Sequence, residues 1–162
     1  MTQYHLAQIN IAKAVADLDS PLMAGFVSRL NEINALAERT KGFVWRLQSD
    51  AGDATAIRVF DDPRILINMS IWETPEDLQN FVYRSMHVEL IRDRDTWFSR
   101  LSEQHQAAWW VPAGYRPSAE EGRDRLLKLR QQGPSATAFT LAKPFAQPSD
   151  ADPKGTETSG VL

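Results

Sequence analysis

Four side chains are of the types that acid–base and oxyanion chemistry needs: His87, Arg84, Asn10 and Asn68. An imidazole titrates near neutral pH and can accept a proton from an acidic phenol or enol, the step that lets a bound carbanion react with dioxygen without a metal. Arg84, about one helical turn before His87, can stabilise a developing enolate. Asn10 and Asn68 can aim amide N–H groups at a carbonyl, as an oxyanion site requires. Each has a plainer reading. His87 equally suits a brace at a bend between two helices, Arg84 a pair with Glu89, and amides are common on antiparallel sheets. Gln8 and Ser70 add neutral polar groups. Trp45, Trp72 and Trp110 offer apolar walls with an indole donor or simple packing, and Tyr83 stands either at a mouth or over a helix.

Other chemistries find less support. His5, His87 and His105 are scattered, and none has the close spacing to another histidine or acid that a zinc motif requires. Cysteine is absent, which removes disulfides, thiolate ligands and a cysteine nucleophile together. Glycine-rich phosphate loops, a GxSxG elbow and kinase signatures are missing. The expectation is a site without metal or cofactor. With 18 basic against 21 acidic residues, the formal charge of -3 gives no electrostatic footprint for nucleic acid or an anionic membrane. No basic leader and no membrane-length apolar run is present, so the expected protein is soluble and cytoplasmic.

The elements that must position these residues follow from periodicity. In ILINMSIWE, residues 65 to 73, Ile65, Ile67, Met69 and Ile71 fall on one side of a strand. Leu66, Asn68, Ser70 and Trp72 fall on the other. HLAQINIAKA, residues 5 to 14, alternates in the same way, with Ala7, Ile9 and Ile11 opposing Leu6, Gln8, Asn10 and Ala12. Asp19-Ser20-Pro21 opens an amphipathic helix over about residues 21 to 39, and Lys41-Gly42 ends it. GFVWRLQ then alternates Phe43, Trp45 and Leu47 against Val44, Arg46 and Gln48, and a small extra strand is expected in TAIRVF. Thr74-Pro75-Glu76-Asp77 starts a second helix with Leu78, Phe81, Val82 and Ser85 as its stripe. Leu90, Arg94, Trp97, Phe98 and Leu101 suggest a continuing or further helix. QAAWWVP, residues 106 to 112, is the fourth strand of the motif. Ser118 and Glu121 cap a last helix, whose mixed charges read as a solvated face, and TAFTL makes a short final strand.

This β-α-β-β-α-β order predicts an α+β, ferredoxin-like antiparallel sheet in one domain, residues 1 to 142, followed by a disordered polar tail, residues 143 to 162. Gln8, Asn10, Asn68, Ser70 and Trp72, with one of Trp45/Arg46 and one of Trp109/Trp110, make a poor solvent face and a poor dry core. They suit a small-molecule pocket. If helices cover only the other face, the natural cover for this one is a second copy of the sheet, which predicts a homodimer forming a dimeric α/β barrel.

A resemblance enters at IWETPEDLQNFVYRSMHVELI. The run resembles the strand-to-helix segment of the dimeric α/β-barrel superfamily, in which a tryptophan and an acid end the third strand and a histidine follows about fifteen positions on. Trp72, Glu73 and His87 occupy those places. HLAQINIA, NALAERTKGFVWRLQ, YRSMH, WFSRL and WWVPAGYRPS extend the likeness over roughly residues 4 to 142, to a bacterial domain family of unknown function grouped near the antibiotic-biosynthesis monooxygenases. The resemblance implies a small-molecule-binding fold that hosts cofactor-free oxygenases of aromatic polyketides, plain ligand carriers and haem-binding proteins. Phe81 stands where the haem-degrading members are expected to carry a helix tryptophan, and His87 falls several residues before their ligand histidine. Haem is therefore the lesser alternative.

Overall fold

The computed structural model describes residues 2–49, 52–86 and 94–149. The elements, in chain order, are β1 (Tyr4–Ala14), a short 3-10 turn (Pro21–Met23), α1 (Ala24–Glu38), β2 (Phe43–Arg46), β3 (Ile65–Trp72) and α2 (Pro75–Met86), then α3 (Arg94–Trp97), β4 (Phe98–Ser99), β5 (Gln106–Pro112) and α4 (Ala119–Gln132). The main sheet runs β2-β3-β1-β5, the antiparallel order of a ferredoxin-like fold, with the two-residue β4 pairing the far end of β1. No described helix is long and apolar enough to cross a membrane.

Local chemistry fixes the ends of these elements. Ser20 accepts from the Leu22 amide, and Pro21 fills the first position of the 3-10 turn. Ser118 accepts from the Glu121 amide, opening α4, while Gly133 closes it at a φ of 76°. Gly42 also lies at positive φ, and a Cβ there would run into the carboxyl group of the buried Asp77. Only glycine lets the loop after α1 approach the first turn of α2 so closely.

β1 is central, paired with β3 from Leu6↔Trp72 to Lys13↔Ile65 and with β5 from Tyr4↔Pro112 to Asn10↔Gln106. Its odd-numbered residues therefore share a face with Met69, Ile71 and Trp109, and its even-numbered residues share the other with Asn68, Ser70 and Trp110. Ala7, Ile9, Ile11, Ile67, Met69, Ile71 and Trp109 pack under Leu126 and Leu129 of α4. Gly122 sits so close that a Cβ would meet Met69 Sδ at 2.6 Å. Leu47, Ile57, Val59 and Phe60 of the segment before β3 complete that cover. On the opposite face Leu6, Trp72 and Ala108 pack with Ala37 of α1 and Leu78 of α2, while Leu66 and Ala14 pack with Met23 and Trp97.

Two expectations are corrected here. The amide-bearing face is the one that α1 and α2 cover, not the one opposite the helices. The other face is not bare either, because α4 and the 47–60 segment lie on it. Alternation groups residues by face but does not say which face the crossover helices take, and the apolar residues at both ends of the amide face decided it. A further group of elements also differs. TAIRVF packs its apolar residues without pairing, and Phe98 belongs to β4 beside Ala14 rather than to a helix. TAFTL forms only isolated bridges, Ala108↔Phe139 and Ser135↔Ala138. Within the expected tail, Phe145 is exposed but stacks on Phe139 with centroids 5.6 Å apart, and the Trp110 indole donates to the Phe145 carbonyl at 2.9 Å.

Candidate functional site

The amide face has three zones along the central strands. At one end Leu6 and Trp72 are wholly buried, with Trp72 stacked on Phe81 (5.1 Å) and meeting Phe43 edge-on (5.6 Å). At the other end Ala14 and Leu66 lie under Met23 and Trp97. Between them stand Gln8, Asn10, Asn68 and Ser70, with Asn10 directly opposite Asn68 and Gln8 opposite Ser70. The side-chain bonds run across the strands. Trp72 Nε1 donates to Ser70 Oγ at 2.8 Å, and Gln8 Nε2 donates to Ser70 Oγ and to Asn68 Oδ1, each at 2.8 Å.

Burial divides this network. Gln8 and Ser70 are 5% and 7% exposed, whereas Asn10 and Asn68 are exposed. Exposure in the middle of two central strands, on the face that carries α1 and α2, means that the helical layer does not close over this pair. The result is an uncovered stretch of neutral amides between apolar zones at both ends, here called the amide cleft. Its chemistry is directional. Asn68 Oδ1 is already an acceptor for Gln8, so the free capacity of Asn68 is its Nδ2 donor pair. No described residue bonds the Asn10 carboxamide. Two amides side by side, at a cross-strand separation of about 5 Å between Cα atoms, form a donor site suited to a carbonyl, enolate or phenolate oxygen.

The other candidates go elsewhere. Trp45 pairs with Ile71 and packs on the α4 face, where the Arg116 guanidinium lies 5.8 Å from its ring centroid. Arg46 instead takes the amide face opposite Ser70, bonded to Glu38 at 2.8 Å and to the Gly52 carbonyl at 2.7 Å. Trp72 is too deeply packed to be a wall that ligand touches, and acts through Ser70. Trp110, on the amide face opposite Leu6, lies beyond the Trp72 end. It lines a groove of about 540 Å³ with Glu73, Pro75, Glu76, Pro144 and Phe145. Arg84 and Tyr83 are exposed on α2, in a separate depression with Thr40 and Lys41. His87 lies outside the described residues. Sequence reasoning left the choice between Trp45 and Arg46 open, and it missed the Glu38 partner of Arg46 and Asn34, the buried polar residue of α1. The parity of the β2 strand could not decide between the two, because a bulge between Phe43 and Trp45 shifts the register.

Comparison with known proteins bears on the family. The model of the domain of unknown function DUF3291 matches residues 5–155. The chain belongs to this family. No curated protein matches this DUF3291 chain. Solved structures that resemble it include the NE2512 protein of unknown function from Nitrosomonas europaea, with 14% identity and a TM-score of 0.45 over 74% of this chain and 100% of the other. SnoaB, a cofactor-independent oxygenase from Streptomyces nogalater, gives 13% identity and a TM-score of 0.43 over 72% and 98%. A provisionally named antibiotic biosynthesis monooxygenase from Nitrosomonas europaea gives 15% and 0.41 over 73% and 97%.

Proposed function

We propose that this DUF3291 protein binds a small, mainly apolar organic molecule in the cleft between the sheet and helices α1 and α2. An oxygen acceptor of that molecule is held by Asn10 and Asn68. The observation that carries the reading is the exposure of this cross-strand pair on an otherwise packed, helix-covered face. An enzyme of the cofactor-independent monooxygenase type, acting on an aromatic or polyketide-like substrate, is the first form of the proposal. In it the amides stabilise an enolate or phenolate oxygen and His87 accepts the proton.

A second form, a non-catalytic binder or carrier, is favoured by one feature. The side chains bonded to one another across the floor, Gln8, Asn68, Ser70 and Trp72, are all neutral, so these four supply no proton acceptor. Haem binding, with His87 as its candidate ligand, is the lesser alternative; His5 shares the α4 face with Ala7 and Ile9. His87→Ala and Asn68→Ala separate the first two forms on a ligand found by screening. Loss of turnover by orders of magnitude in His87→Ala with affinity kept supports the enzyme; altered affinity in Asn68→Ala with no turnover in any variant supports the carrier. Unchanged affinity in Asn10→Ala and Asn68→Ala alike removes both.

A further inference from the structure

A second site is visible away from the amide cleft. Thr40 and Lys41, just past α1, and Asn80, Tyr83 and Arg84 of α2 line a depression of about 340 Å³. No acidic side chain is among the described residues that line it. The chain has more acids than bases, and several of its described cations are matched: Lys13 to Asp62, Arg46 to Glu38, Arg64 to Asp17 and Arg130 to Glu103. Among the described residues, Lys41 and Arg84 have neither an ion-pair partner nor a side-chain hydrogen-bond partner. Two unmatched cations therefore meet in one concavity, although like charges brought together repel each other unless an anion sits between them.

The plain alternative is that Lys41 caps the negative end of α1. That end is already satisfied. The Arg39 amide bonds the Ala35 carbonyl at 3.2 Å, the Thr40 amide bonds that of Ala37 at 3.0 Å, and Thr40 Oγ1 donates to the Leu36 carbonyl at 2.6 Å. Lys41 Nζ, the Arg84 guanidinium and the Asn80 amide remain as donors around the space. A guanidinium fork beside an ammonium point charge is the donor set that recognises a tetrahedral oxyanion, through paired N–H bonds from arginine and charge from lysine.

We propose that this depression binds the phosphoryl group of a small phosphate monoester. The site shares no lining residue with the Asn10–Asn68 cleft, so it stands or falls separately from the function proposed there. Inorganic phosphate is the probe, titrated into the full chain at constant ionic strength while backbone amide resonances are followed. Saturating shifts confined to residues 40–41 and 80–84 are expected. Lys41→Gln and Arg84→Gln should each weaken binding about tenfold, and the double variant should abolish it. No saturation up to about 10 mM, which lies well above a millimolar Kd, overturns the proposal. So do shifts that survive in the double variant, and so does equal saturation by acetate, which would mark a general carboxylate or charge effect. Retained amide dispersion in the variants confirms that they fold.

Discussion

Replacing Ser70 by alanine removes one oxygen and strands two donors. Ser70 Oγ accepts from Trp72 Nε1 and from Gln8 Nε2, and the tryptophan is wholly buried. Gln8 keeps its bond to Asn68, so its loss is partial. The indole N–H has nowhere else to go. A buried polar group left unsatisfied costs about 1–3 kcal/mol, so one full and one partial loss give a destabilisation of about 2–4 kcal/mol, a large share of the ~5–15 kcal/mol typical of a whole domain. Urea unfolding reads it directly: with m near 2 kcal/mol/M, the midpoint should fall by about 1–2 M at unchanged m. A double-mutant cycle with Trp72→Phe isolates the bond. In that background Ser70→Ala should cost less, by a coupling of about 1 kcal/mol. A single-mutant effect within ~0.5 kcal/mol of zero, or no coupling, would refute the network that holds Asn68 in its donor-outward orientation.

Gly42→Ala meets both a positive φ and the carboxyl group of Asp77, so thermal unfolding should show a loss of at least about 2 kcal/mol, with recovery when Asp77→Ala opens the space. Leu126→Ala, at the centre of the α4 contact, should cost about 2–5 kcal/mol in the same assay, and a small cost would mean that α4 does not cover that face. Asp62 is held below its ordinary pKa of 3.8, first by the Arg64 backbone N–H and then by Lys13. A lowered carboxylate pKa adds stability above the unfolded-state value, and that stability disappears as pH falls through the folded-state value. Asp62→Asn should therefore be less stable than the parent near neutrality and equal to it in acid, and a gap that persists unchanged into acid would contradict the assignment.

Much of the fold was legible because the strongest strands carry unambiguous alternation. Tyr4–Ala14, Ile65–Trp72 and Gln106–Pro112 match the runs read from sequence, and Ser118 caps its helix as expected. The set Gln8, Asn10, Asn68 and Ser70 was legible for the same reason, since period-two spacing puts them on one face. Which layer lies over them was not. That depends on where Leu78, Phe81, Ala37 and Met23 dock, a tertiary choice that alternation within a strand does not encode. Trp45 was misassigned with Phe43 because the bulge inserts a residue and reverses the parity of β2. TAIRVF has a real burial signal in Ile57, Val59 and Phe60, but Asp53 ties up the Thr55 amide and hydroxyl in a turn instead of a ladder.

The most direct measurement is a crystal structure of the protein with a small molecule retained from its host or found by screening. Ligand density under α1 and α2, with an oxygen within hydrogen-bond distance of Asn68 Nδ2 or the Asn10 carboxamide, is the predicted result. Density confined to the α4 face, or a helical layer closed over Asn10 and Asn68 with no room for a ligand, would contradict the account.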